Sequence, residues 1–127
     1  MTLNPDGSPL LSPDDVKFLE EYEETYPEMT SEFKRIAMLQ YVTFCRKNND
    51  YGTSNIALGS DLRTDDDKRV SLTGLWYRMM DKINRLKTLI VLNKTNAVKD
   101  ENVSDSFSDL SVYGIIAQII LNGKWAK

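Results

Sequence analysis

Histidine is absent from the 127-residue chain, and cysteine occurs once, as Cys45. The first absence removes the commonest general base, the serine and cysteine hydrolase arrangements that depend on it, and every histidine-ligated zinc site. The second removes an internal disulfide and suits a reducing compartment, so a cytoplasmic protein is expected. Long apolar runs are missing too. The start MTLNPDGSPLL has neither the basic region nor the apolar stretch of a signal peptide, and IIAQIIL near the C-terminus is far too short to span a bilayer. No segment alternates as a half-buried strand does, and no internal repeat is visible. Chemistry must therefore rest on carboxylates, amines, hydroxyls or a bound metal ion.

What is present is helical. A chain of this length with 41% hydrophobic residues supports one domain, residues 1–127, around one core. Residues 1–11 are expected to be a flexible N-terminal segment. Ser12 as N-cap, Pro13 at the first helical position and Asp14 and Asp15 in the first turn begin a helix that stops before Pro27. Its apolar sector holds Phe18, Leu19, Tyr22 and Tyr26, which leaves Glu20, Glu21, Glu23 and Glu24 solvated. Thr30 is a candidate cap for a second helix reaching about Lys47. Phe33, Ile36, Ala37, Met38, Leu39, Val42, Phe44 and Cys45 surround most of its wheel, so it reads as central, with Cys45 an inert core thiol. KNNDYGTSN marks a turn. Residues 53–70 then lack a trustworthy period and read as a long loop, with DLRTDDDKR solvated or acting as a mobile lid.

Ser71 is a candidate cap for a third helix with the stripe Leu72, Leu75, Trp76, Met79, Ile83, Leu86 and Ile90, which places Trp76 in the core. A fourth runs from about Val103 to Leu121 and is ended by NGK. Its stripe Val103, Phe107, Leu110, Gly114, Ala117 and Leu121 reads as the core face. Trp125, almost terminal, reads as a docking or oligomer contact. The expected fold is all-α, with about four main helices and a long loop between the second and third.

Charge is uneven. Residues 1–67 hold 14 acids and 6 bases, and residues 68–127 hold 5 acids and 10 bases, for a net charge of -3. The basic half meets either phosphates or the acidic half of the same fold. Glu101, Asp105 and Asp109 stand at i, i+4 spacing with no basic residue between them, and like charges so placed repel. Their ridge continues as Val112, Ile116 and Ile119, so a polar line runs into an apolar seam. Either these acids are solvated and favoured by the helix N-terminus, or they hold a divalent cation, for which oxygen ligands suit magnesium or manganese. On the third helix Asp81 lies among Arg78, Lys82 and Arg85, as ordinary ion pairs or as a phosphate clamp. Tyr51, in the turn after the second helix, offers a ring for base stacking or closes a core edge.

Taken together, KNNDYG, YRMMDKINRL and DENVSDSFSDLSVYG, in this order, resemble the nucleotide modification associated domain family of bacteriophages and some bacteria, over roughly residues 40–121. The family positions would be Lys47, Asp50, Tyr51 and Gly52; Arg78, Asp81, Lys82 and Arg85; and Glu101, Asp105, Asp109 and Tyr113. The chain is more distantly similar, in architecture, to the MazG-like all-α nucleotide pyrophosphohydrolases. Their E-x-x-E followed by E-x-x-D pattern is not reproduced: Glu20 and Glu23 have the first spacing, on a helix outside the matched region, but Glu101 and Asp105 are one residue too far apart for the second.

These resemblances imply a protein that binds nucleotide phosphates through Mg2+ or Mn2+, and in its catalytic form hydrolyses a (deoxy)nucleoside triphosphate. Glu101, Asp105, Asp109 and Asp50 would hold the metal. Asp81, Asp105 and Lys47 would serve catalysis, and Arg78, Lys82, Arg85 and Tyr51 would bind the nucleotide. Expected alongside are weak or no binding of duplex DNA, no membrane partner, a homo-oligomer, and the host cytoplasm if the chain is phage-encoded. The alternative is a non-catalytic module that binds a nucleotide, a nucleic acid or another protein.

Overall fold

A computed structural model describes residues 3–127, and every regular element among them is helical: α1 (Pro13–Thr25), α2 (Pro27–Tyr51), α3 (Ser54–Ala57), α4 (Asp65–Leu86) and α5 (Val103–Leu121). A π-helical turn, Lys87–Val91, extends α4. The all-α expectation holds. The chain divides into two compact units, one ending at Tyr41 and the other running Val42–Lys127.

In the first unit, Asn4 donates to Ser8 Oγ (3.0 Å) and to the Pro9 carbonyl in a short turn. Residues 1 and 2 of the expected N-terminal segment lie outside the described residues. Ser12 Oγ then accepts from the Asp15 amide (3.1 Å) with Pro13 behind it, so α1 starts where its capping residues dictate. Glu20, Glu21 and Glu24 are exposed and Glu23 pairs with Lys34 of α2, but the expected apolar sector of α1, Phe18, Leu19, Tyr22 and Tyr26, is exposed as well.

The second unit carries the core: Ile56, Ala57, Leu62, Leu75, Ile116, Ile120 and Trp125, with Phe44, Val112 and Ile119 packed around it. Several expectations change here. The second helix begins at Pro27, and Thr30 donates its hydroxyl back to Tyr26 O (2.9 Å) instead of capping. The helix also runs a turn beyond Lys47. Asn48 is accommodated by donating to Phe44 O (2.9 Å), and the end comes at Gly52, whose φ of 76° no side-chain-bearing residue adopts cheaply. Far from being central, α2 has no buried residue, and Cys45 is exposed.

The expected long loop is largely structured. Ser54–Ala57 forms one helical turn closed by left-handed Leu58 and Gly59. The next helix then starts at Thr64, whose Oγ1 accepts from the Asp67 amide (3.0 Å) while Asp65, Asp66 and Asp67 occupy the first turn. RTDDDKR is thus a helix start, stabilised by the positive N-terminal end of the dipole. Ser71, read as a cap, is instead buried mid-helix and donates its hydroxyl to Ile56 O (2.6 Å). The tryptophans exchange roles. Trp76 is exposed, whereas Trp125 is buried, tilted against Phe44, and donates Nε1–H to Thr53 O (3.1 Å). In α5 the seam through Ile116 lies in the core as expected, but Phe107 and Leu121, placed on the core face by their spacing, are exposed.

A candidate nucleotide pocket

The pocket is organised by the pairing of α4 and α5. Arg85 Nη1 donates to Ser106 Oγ (2.7 Å), and Lys82 Nζ pairs with Asp109 Oδ2 (3.1 Å). A step back along α4 is matched by a step forward along α5, so the helices are antiparallel. The same register brings Arg78 level with Tyr113, Leu75 with Ile116 and Ser71 with Ile120. The seam is therefore graded, apolar where Leu75, Ile116 and Ile120 bury one another and charged toward the other end.

Where the seam changes character, a cavity of about 380 Å³ opens between the last turns of α2, the short α3, and α4 and α5. Phe44, Ile56, Val112 and Ile116 supply its apolar lining. Its polar lining is Thr43, Lys47, Asn48, Tyr51, Asn55, Arg78, Ser108, Asp109 and Tyr113. Thr43, Lys47 and Tyr51 share one ridge of α2, and Ser108, Asp109, Val112, Tyr113 and Ile116 share one face of α5, by i, i+3 and i+4 spacing. Arg78 is held by Nη2 donating to Asn55 O (3.2 Å) and Oδ1 (3.4 Å), which positions a guanidinium on the wall.

Asp109 ties the charged part together. One oxygen takes Lys82, and the other lies 3.9 Å from Lys47 Nζ, so three helices converge on one carboxylate. The hydrogen bond from Lys82 to Asp109 raises the lysine pKa above its ordinary value, against the opposing effect of partial burial; the nearby charge of Asp109 adds to the rise.

The structure thus brings together Lys47, Tyr51, Arg78, Asp109 and Tyr113, with Lys82 behind Asp109. It leaves out Asp50 and Asp81, which are exposed and do not line the cavity. Glu101 lies ahead of α5 near Arg85 (3.9 Å). Asp105 is consumed by a reciprocal cap: Asn102 Oδ1 accepts from the Asp105 amide (2.9 Å), and Asp105 Oδ2 accepts from the Asn102 amide (3.2 Å). Arg85 donates to the carbonyls of Glu101 and Asn102 (3.0 Å) and to Asn96 Oδ1 (3.4 Å), strapping the start of α5 to α4. The repulsion along the acidic ridge is thus relieved by a cap and by lysines.

Among the described residues no three Asp, Glu or Cys side chains gather so as to hold a metal ion. Glu101, Asp105, Asp109 and Asp50, expected as cation ligands, do not gather into such a group. Asn48, Asn55 and Ser108 were not singled out in the sequence. The one available signal was that Asn48 and Ser108 neighbour Lys47 and Asp109.

Fold and site together define an all-α protein whose helices wall a small cavity rimmed by cations, amides and tyrosines. The chain belongs to the family described as Nucleotide modification associated domain 1, whose model matches residues 47–121. That span begins at Lys47 on the pocket wall and ends with α5. Searches of curated proteins and of solved structures return no match. No described helix is long and apolar enough to cross a membrane.

Proposed function

We propose that this chain binds a nucleotide in the cavity between α2, α3, α4 and α5. The observation that supports the reading is the convergence of Lys47, Tyr51, Arg78, Asp109 and Tyr113, drawn from three sequence motifs, on one cavity of about 380 Å³. That volume lies within the roughly 300–1,000 Å³ of small-ligand sites. Lys47 and Arg78 match phosphate oxygens, the guanidinium doing so with planar, multidentate geometry. Tyr51 and Tyr113 offer rings to a base, and the asparagines offer both donors and acceptors to its edge. Asp109, already paired to lysine, lowers the net positive charge and so favours a compact anion over a polyanion. Duplex DNA is disfavoured for the same reason, since it needs a broad basic surface and the chain carries a net charge of -3. The geometry supports binding. Magnesium enters this reading only as the counterion a triphosphate carries with it, because no ligand set gathers among the described residues.

Calorimetric titration with mono- and triphosphates, with and without magnesium, and with a labelled duplex at two salt concentrations tests the proposal. Wild type should bind a nucleotide, and Arg78→Ala and Tyr51→Ala should each weaken it about tenfold while helical circular dichroism is retained. Silence toward every nucleotide, or steeply salt-dependent duplex binding in its place, would overturn it.

A further inference from the structure

The α2 and α3 segments that wall the pocket cover one side of the α4–α5 pair, where Leu58 approaches Gly74. The opposite side carries two apolar stripes. Apart from Leu75, which turns to the core, the α4 stripe from Leu72 to Leu86 steps by 4, 3, 4 and 3 residues, with Ile90 following in the π-helical turn, and the α5 stripe from Val103 to Leu121 steps by 4, 3, 4, 3 and 4. Steps of that kind give the 3.5-residue period of helices that pack lengthwise in bundles. Each stripe lies one residue, about 100°, forward of the seam that joins α4 to α5. On antiparallel helices that rotation turns both stripes to the same side of the pair.

Leu72 and Ala117 pack partly against the core, but much of this face meets solvent. Trp76 is 55% exposed, Ile83 44%, Ile90 49%, Phe107 53% and Leu121 61%. These five side chains alone leave on the order of 500 Å² of mostly apolar surface in water, near the top of what a monomer shows in one patch. With the half-buried members of both stripes and a matching surface opposite, the area reaches the roughly 1,200–2,000 Å² of a stable interface.

We infer that this face is the interface of a homodimer, in which α4 and α5 of two copies form a four-helix bundle. The face offers a knob and a hole. On α4 Trp76 projects, and on α5 the stripe narrows at Gly114, within one residue of the level of Trp76. A two-fold axis running along the helices lays α4 of one copy over α5 of the other at the same height, so Trp76 meets the gap above Gly114. That gap is real within the chain, because a Cβ added at Gly114 meets nothing within 4 Å. Each α4 then has antiparallel neighbours on both sides, and the nucleotide pocket, on the other side of the pair, stays open. The inference is independent of what that pocket binds.

Sedimentation equilibrium of the full chain across a wide concentration range tests it. The wild type should be a dimer, and Trp76→Glu combined with Phe107→Glu should weaken the association at least tenfold. Gly114→Leu is the decisive companion: it replaces a poor helix former where the chain itself has room, so helicity should hold or rise while the dimer weakens at least tenfold. Loss of the dimer in Gly114→Leu with helicity intact supports the interface even where the glutamate variants misfold. A wild type that stays monomeric throughout, or a dimer that survives Gly114→Leu, overturns it.

Discussion

Replacing Arg85 with alanine separates two roles for one guanidinium. The sequence places it beside Arg78 and Lys82 as a phosphate ligand; the structure gives it to Ser106 Oγ, to the carbonyls of Glu101 and Asn102, and to Asn96. Its side chain is one-fifth exposed and Ser106 is buried. Truncation would strand a buried hydroxyl and release the strap at the start of α5. Hydrogen bonds to a charged group are worth about 1.5–3 kcal/mol, and water reaching the remaining carbonyls argues for the lower half of that range. The expected loss is about 2 kcal/mol, which for a chain of this size lowers Tm by about 6–10 °C. Arg85→Lys should recover less than half, because an ammonium cannot reproduce the planar fork. A double-mutant cycle with Ser106→Ala, followed by urea unfolding, should give a coupling of about 1 kcal/mol. A variant within about 0.5 kcal/mol of wild type that has nevertheless lost nucleotide binding would refute the structural assignment and restore Arg85 as a ligand residue.

The C-terminal turn is predicted to be part of the core. Trp125→Ala should cost about 3–5 kcal/mol in urea unfolding, and Trp125→Phe about 1 kcal/mol for the lost bond to Thr53 O; an unaffected Trp125→Ala variant would detach that turn from the fold. The Lys82–Asp109 pair is predicted to stabilise the fold in a pH-dependent way. Because folding raises the Lys82 pKa, its contribution is complete below the unfolded value of about 10.4 and fades as pH rises through the higher folded value. The Tm difference between wild type and Asp109→Asn should therefore be larger at neutral pH than in strong alkali, and a difference constant across that range would remove Lys82 as its source.

What the sequence determined by itself is local. Ser12 with Pro13 starts α1, and the boundaries of α5 at Val103 and Leu121 follow from its period and from the glycine beyond it. The three polar motifs could be read in order because each is a short spacing on one helix. The start of α4 was also legible in principle: Thr64 followed by three aspartates is a capping signal, masked by the lack of an apolar period in RTDDDKR. Periodicity reports that a helix has an apolar face but not what covers it. Hence Trp76, Phe107 and Leu121 were assigned to the core, yet they stand exposed, while Trp125, on no periodic stripe, is buried.

Only the tertiary structure decided which of the polar residues meet. The antiparallel register of α4 and α5 sends Lys82 to Asp109 and Arg85 to Ser106, and the cap at Asn102 withdraws Asp105. Lys47 and Tyr51 reach the same cavity as Tyr113 although more than sixty residues separate the two groups in sequence. Such pairings depend on how helices pack across the seam, and no spacing along a single helix encodes them.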